Sequence, residues 1–326
     1  MQRVLITGGT GFLGAALARA YLRQGVPVRL MGRDFARVGN VQGASAEFCK
    51  ADLRDRDAVV AACAGCDLIV HAGALSSPWG ARRDFEATNV LGTEHVLAGA
   101  RQYRVARLIH ISSPSVVFTG DDAIELPDDA PYPETFLSDY AATKKLAEDA
   151  VNAMFRAGIV SGLILRPKAI FGPGDTSLLP RLIAAAKSGR LPIIGDGENR
   201  VALTYVDNVV EAILRAAEAP EAALGKTFTI TGSEAPKLWE VIAQVLEALD
   251  VPWKPRQVSL QKALFAARVM EQAARLTGRE PLLTRYTVSL LARTQTYNTT
   301  PARTLLGYTQ PISVNDGIAR TIEALK

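Results

Sequence analysis

A doubly wound α/β fold, with a parallel sheet covered by helices on both faces and a smaller C-terminal substrate lobe, is predicted by three features of the sequence. Short β-branched runs alternate with helical patterns through the first half. A glycine-rich stretch lies between the first such run and the first helical pattern. The chain, at 326 residues with 48% hydrophobic residues, is also long enough to bury a large sheet core together with a second lobe.

The elements follow in order. Strands are expected over 4–7, 28–31, 68–71, 108–112 and 160–165, with another ending ahead of Asp52. Helices are expected over 12–23, near 55–63, over 85–101 and over 139–156. After Arg166-Pro167 the repeating unit breaks up at Gly172-Pro173-Gly174 and Gly195-Asp196-Gly197. Residues 1–166 therefore read as the sheet domain, with 201–218 returning to it. Residues 167–200 and 219–326, including a strand over 227–231, read mainly as the substrate lobe. The apolar segment 260–276 carries Lys262, Arg268 and Arg275 and reads as an amphipathic helix packed on that lobe; a channel wall or a peripheral membrane contact are its other readings.

Composition narrows the function classes. Lys and Arg outnumber Asp and Glu by 37 to 33, but the excess is scattered, so no nucleic-acid partner is expected. Met1-Gln2-Arg3 leads at once into Val4-Leu5-Ile6 with no leader pattern, and no run approaches the ~18 apolar residues of a spanning helix, so a cytoplasmic protein is expected. Cys63-Ala64-Gly65-Cys66 has the spacing of a redox or zinc pair, yet it closes a helix and turns into a strand. Packing is the reading taken, and no metal is expected.

Thr7-Gly8-Gly9-Thr10-Gly11-Phe12-Leu13-Gly14 joins a strand to a helix, the context in which a glycine pattern binds a dinucleotide, as in a Rossmann domain. Gly8 and Gly11 let the backbone turn and approach a pyrophosphate, Gly14 lets the helix lie close on the strand, and the helix N-terminus offers free N–H groups. At the end of the second strand, Gly32 stands where an acidic residue would accept from the ribose, and Arg33 follows it. That order favours NADP over NAD, with Asp34 keeping NAD open. Asp52-Leu53 and Ala72-Gly73-Ala74 fall at carboxyl ends of strands and are assigned to the cofactor, although Asp52 also suits a helix cap.

Tyr140 and Lys144 stand four apart on a helical pattern and share a face. An ammonium beside a phenol lowers its pKa, making Tyr140 a proton carrier for a carbonyl or alcohol oxygen. Ser113, at the end of the strand 108–112, can hold that oxygen.

With the glycine loop, Asp52-Leu53, Asn89, Ser113, Tyr140, Lys144 and Arg166-Pro167 in this order, the chain resembles the extended short-chain dehydrogenases/reductases. It is most similar to their 3β-hydroxysteroid dehydrogenase-like branch through Ser112-Ser113-Pro114-Ser115 and Arg166-Pro167-Lys168-Ala169-Ile170-Phe171-Gly172-Pro173-Gly174-Asp175. Bacterial members include sterol dehydrogenases and reductases of 2-alkyl-3-oxoalkanoates. The resemblance implies that Ser113 orients the substrate oxygen, Tyr140 is the acid/base, and Lys144 lowers its pKa and binds the nicotinamide ribose. It also places Asn89, Pro167 and Ile170 along the cofactor cleft. A nucleotide-sugar epimerase or dehydratase is the alternative within the superfamily, though such enzymes generally carry Asn where this chain has Ala169.

The expected substrate is a bulky apolar ketone or secondary alcohol, because 260–276, Pro281-Leu282-Leu283 and 288–291 offer apolar walls. Arg285 and Lys168 are candidates for a carboxylate partner. Trp79 either touches substrate or anchors its loop. A homodimer is expected.

Overall fold

Residues 3–36, 41, 45–176 and 178–326 are described by a computed structural model. The first half runs β1 (Val4–Thr7), α1 (Phe12–Arg23), β2 (Val28–Gly32), β3 (Ala46–Lys50), α2 (Arg56–Ala62), β4 (Leu68–His71), α3 (Arg82–Phe85), α4 (Gly92–Gln102), β5 (Arg107–Ile111), β6 (Ala123–Leu126), α5 (Asp139–Arg156) and β7 (Gly162–Pro167). The second half runs β8 (Ile170–Phe171), α6 (Leu179–Lys187), β9 (Ile193–Ile194), β10 (Thr204–Tyr205), α7 (Val206–Ala217), β11 (Thr227–Ile230), α8 (Leu238–Ala248), β12 (Gln257–Val258), α9 (Leu260–Thr277), α10 (Arg285–Ala292), β13 (Gln295–Tyr297), α11 (Thr300–Leu306) and α12 (Val314–Leu325).

Seven parallel strands form the central sheet in the order β11-β7-β5-β4-β1-β2-β3. Alternate residues of each strand face opposite sides. Val4, Ile6, Leu30, Val70, Ile109 and Leu163 enter one core layer, which α1 and α7 cover. Leu5, Met31, Ile69, Leu108 and Ile164 enter the other, against Val59, Val96 and Val151 of α2, α4 and α5. The order of winding reverses between the parallel strands β1 and β4, opening a crevice at their carboxyl ends.

Two expectations are corrected. Residues 227–231 were assigned to the substrate lobe, but β11 pairs with β7 from Thr227↔Ile164 to Ile230↔Pro167 and is the sheet's seventh strand. Its inward residues Phe228 and Ile230 are buried in the main core, which is why the sheet gains that edge. The helix expected over 85–101 is interrupted by a π-helical turn at Glu86–Leu91, where the Thr93 hydroxyl takes the Asn89 carbonyl at 2.6 Å.

The amphipathic segment forms α9, but its inward face carries Ala263, Ala267, Glu271 and Ala274, while Phe265, Val269 and Leu276 are exposed. The small residues let α9 pack on α10, and α9 contributes no side chain to the cavities described below. Among the described residues no helix is long and apolar enough to cross a membrane.

Candidate active site

The loop after β1 is shaped by close backbone approach. Gly8 adopts φ +66°, and a Cβ there would lie 2.7 Å from the Gly73 Cα. A Cβ on Gly14 would lie 2.3 Å from the Gly8 carbonyl oxygen, so Gly14 is required by the loop itself and not, as expected, by helix-to-strand packing. Gly11 starts α1 without a side-chain cap, leaving first-turn N–H groups for an anion.

Of the residues assigned to a dinucleotide, Gly8, Thr10, Gly11, Arg33, Asp52, Leu53, Ala72, Gly73 and Ala74 line one cleft of about 210 Å³. Phe12, Leu13, Pro167 and Ile170 line the adjoining cleft that holds Tyr140. This crevice, a glycine cradle under a helix N-terminus with an arginine at its ribose end, fits a dinucleotide. Asp52 is clamped by Arg54 at 2.8 and 2.9 Å, which draws its carboxyl down to about 2. The cap of α2 comes instead from Asp55, which accepts from the Ala58 N–H.

Asn89, which the resemblance places along the cofactor cleft, lines neither cleft, and its side chain is engaged by the protein itself. Its Oδ1 accepts from the Leu75 N–H at 2.7 Å, while its Nδ2 donates to the Leu75 carbonyl and to Thr143 Oγ1, both at 3.1 Å. The amide is spent holding the loop after β4 to α5.

A second tether, absent from the sequence reading, fixes that loop. The Gly73 N–H donates to Thr7 Oγ1 at 3.1 Å, Thr7 meets His71 Nδ1 at 2.7 Å, and His71 Nε2 meets Thr93 Oγ1 at 2.9 Å. Since the single Thr93 proton goes to the Asn89 carbonyl, His71 must donate from Nε2 and accept at Nδ1. Burial holds the His71 pKa down to about 3, keeping the neutral ring this chain needs.

Ser138 caps α5 by accepting from the Ala141 N–H at 3.2 Å, and α5 then presents Tyr140 and Lys144 to a cleft of about 370 Å³. Ser113 enters the same cleft from the end of β5. Burial raises the Tyr140 pKa, and hydrogen bonds with the Ser76 and Ser113 side chains oppose the rise. The Lys144 ammonium donates to the Ile111 carbonyl at 2.8 Å and to His110 Nε2 at 3.3 Å. Its own pKa is lowered by burial to about 8, against the pull of Glu148. Ser76 was missed, although it follows the Ala72-Gly73-Ala74 run already placed at the sheet edge.

Glu148 was also missed, and its spacing was the available clue, since Tyr140, Lys144 and Glu148 continue one stripe of α5. Its carboxylate accepts from Arg166 Nε at 2.8 Å and from a second Arg166 nitrogen at 2.6 Å, with both side chains buried. Tyr132 donates to the same carboxylate at 2.7 Å. This pair ties α5 to β7, and so ties Tyr140 to the segment that follows Pro167.

Lys168 is 9% exposed and lines the Tyr140 cleft. Its ammonium donates to Gln295 Oε1, and the Gln295 amide is held in turn by donating to the carbonyls of Leu290 and Arg293 at 3.1 and 3.3 Å. Burial alone lowers the Lys168 pKa to about 7; no carboxylate among the described residues pulls it back. Arg285, the other carboxylate candidate, is committed to Glu271 through its N–H at 2.7 Å and its Nε at 2.9 Å. Trp79 lines none of these cavities, whereas Ser76, Ser77 and Pro78 do.

Two apolar spaces adjoin the cleft, a cavity of about 110 Å³ walled by α6, α8 and residues 290–291, and a groove of about 360 Å³ walled by α6 and residues 280–291. Cys63 and Cys66 lie far from both, in the core layer under α2 and α4, and burial pushes the Cys63 thiol up to about 12.

The NAD dependent epimerase/dehydratase family matches residues 4–231. A 2-alkyl-3-oxoalkanoate reductase of Stenotrophomonas maltophilia is 37% identical, over 98% of this chain and 98% of its own length. A decarboxylating sterol-4-alpha-carboxylate 3-dehydrogenase of Candida albicans is 31% identical, over 99% of this chain and 97% of its own. The crystal structure of gox2253 superposes with a TM-score of 0.81 at 25% identity, over 100% of this chain and 98% of that one. With the parallel sheet, the glycine cradle and these relatives together, the chain belongs to the NAD dependent epimerase/dehydratase family of extended short-chain dehydrogenases/reductases and is an NAD(P)-dependent oxidoreductase acting on CH–OH groups.

Proposed function

We propose that the protein interconverts a β-keto acid bearing alkyl chains, of the 2-alkyl-3-oxoalkanoate type, and its 3-hydroxy form, with NADPH as the preferred reductant. The observation that carries this reading is the buried Lys168 ammonium, which faces a cleft without carboxylates that is flanked by two apolar spaces. An ammonium has three donors, and Gln295 takes one. A β-keto acid answers both features, with a carboxylate for the remaining donors and alkyl surface for the walls.

When bound, NADPH supplies the hydride that adds to the ketone carbon. Ser113 and Tyr140 hold the ketone oxygen, and Tyr140 gives it the phenolic proton as the carbonyl π pair moves onto oxygen. Lys144, anchored by Ile111, stands one helical turn from Tyr140 to meet the nicotinamide ribose. Arg33 pairs the 2′-phosphate, with no carboxylate at Gly32 to oppose it. A nucleotide sugar is the poorer match, since Ala169 offers no amide and its neighbouring walls are apolar.

The test is a cofactor-oxidation screen of 2-alkyl-3-oxoalkanoates, steroid ketones and UDP-sugars with NADPH and with NADH. The highest kcat/KM should fall on a 2-alkyl-3-oxoalkanoate with NADPH. Turnover of a UDP-sugar without net cofactor oxidation, with every β-keto acid inert, would replace this reading by epimerisation.

A further inference from the structure

The closed cavity, the open groove and the Tyr140 cleft meet at Leu178 and Leu290, the two residues that line all three. Leu182 and Leu291 line both the cavity and the groove, and the other residues shared with the cleft are divided. Lys168 and Ala169 line the cleft and the closed cavity, whereas Ser76, Tyr140 and Tyr286 line the cleft and the groove. The cavity is the more enclosed of the two spaces and is lined by Leu238, Ile242 and Val245, all buried, with Val241 beside them. The groove reaches solvent, since Arg181 and Glu280 at its rim each have side chains 56% exposed and Leu282 is 53% exposed.

A 2-alkyl-3-oxoalkanoate carries four groups on two adjacent carbons. The carboxylate and one chain share C2; the ketone oxygen and the other chain share C3. We propose that the closed cavity behind Lys168 is the subsite for the C2 chain and that the open groove beside Tyr140 is the subsite for the C3 chain. This rests on the β-keto acid reading above. With the oxygen on Tyr140 and Ser113 and the carboxylate on Lys168, each chain leaves its carbon beside the residue that lines its own space, and Leu178, Leu182, Leu290 and Leu291 present side chains to both spaces.

The two subsites impose different limits on length. An apolar cavity of about 150 Å³ stays dry and accepts benzene, so the 110 Å³ here accommodates a chain of roughly four or five carbons. The groove sets no such stop.

The experiment measures kcat/KM for oxidation of 2-alkyl-3-hydroxyalkanoic acids by NADP in two series, one lengthening the C2 chain at a fixed C3 chain and one the reverse. The C2 series should pass through a maximum and fall at least tenfold within about three further carbons, while the C3 series rises to a plateau. Val241→Phe, which fills the cavity, should move the C2 maximum to shorter chains, and Ile242→Ala should move it to longer ones. Neither should alter the ratio between long and short C3 chains. Superimposable series, a cap on C3 instead of C2, or cavity variants that shift the C3 profile would overturn the assignment of subsites while leaving the β-keto acid reading in place. Inertness of the wild-type enzyme toward every member of both series would overturn both.

Discussion

At the cofactor end of the crevice, the chain from Gly73 through Thr7, His71 and Thr93 to Asn89 runs unbroken with each donor matched to an acceptor, and the Asn89 amide is committed to Leu75 and Thr143. At the substrate end, Lys168 has Gln295 as its hydrogen-bond partner and is surrounded by apolar walls. Both ends bury a lysine, but Lys144 is set against a strand carbonyl with Glu148 one helical turn away, whereas Lys168 has no compensating carboxylate. The first end is preorganised for a ligand of fixed shape. The second stores one uncompensated charge where a substrate can satisfy it, and leaves chain length to cavity volume.

The largest effect should come from Tyr140→Phe, which removes the proton carrier shared by the two ends. A fall in kcat of about 10²–10⁴ is expected with cofactor affinity kept within a few-fold, as read by single-turnover hydride transfer and cofactor titration. A near wild-type rate would remove Tyr140 from the chemistry.

Next in size is the strut that joins the ends. Glu148→Gln leaves the buried Arg166 without its carboxylate, and a loss of about 3–5 kcal/mol is expected in denaturant unfolding. A change under 1 kcal/mol would mean that water or Tyr132 compensates the guanidinium.

Lys168→Met tests the uncompensated end in two ways. For a β-keto acid, kcat/KM should drop roughly tenfold to a hundredfold, the worth of a charge-assisted bond, while a neutral ketone of equal size is spared. Stability should respond with the opposite sign. Burial lowers the folded-state pKa from 10.5 to about 7, so between those values the unfolded chain holds the extra proton and native stability rises with pH. The Met variant should therefore gain most in Tm below pH 7, and the gain should shrink toward pH 10.5. Parallel stability curves for variant and wild type would show that the amine is not held at a cost.

The smallest effect is expected at the rim of the cofactor end. Arg33→Ala should narrow the preference for NADPH over NADH by roughly tenfold, about 1.5 kcal/mol at an exposed site. A wild-type enzyme that favours NADH would reverse the assignment of Arg33.

Most of the sheet was legible because its rules are local: short β-branched apolar runs at 4–7 and 68–71, and a glycine loop between strand and helix. The four-residue spacing of Tyr140 and Lys144 was legible for the same reason, and extending it by one step would have found Glu148. What stayed hidden depends on partners distant in sequence. Gln295 meets Lys168 across 127 residues, and Arg285 carries the same charge as Lys168 but is claimed by Glu271 on a neighbouring helix. The edge strand at 227–230 was misplaced because pairing with β7, and nothing in its own four residues, decides which lobe it joins. The bonds of Asn89 to Leu75 and Thr143 were not legible, because they depend on a π-helical turn that side-chain periodicity does not mark.

That turn gives Glu86–Leu91 the character of an inserted residue absorbed within a helix. In an α-helix each residue advances the azimuth by about 100°, so deleting one residue within 86–91 would restore regular winding and swing Asn89 off the axis that reaches Leu75 and Thr143. Helical content would hardly change, yet the loop after β4 would lose its latch. Tolerance to single-residue deletion here is thus a measure of how tightly the chain's reading frame is coupled to the shape of the cofactor cleft, a coupling that substitution at Asn89 alone would only partly expose.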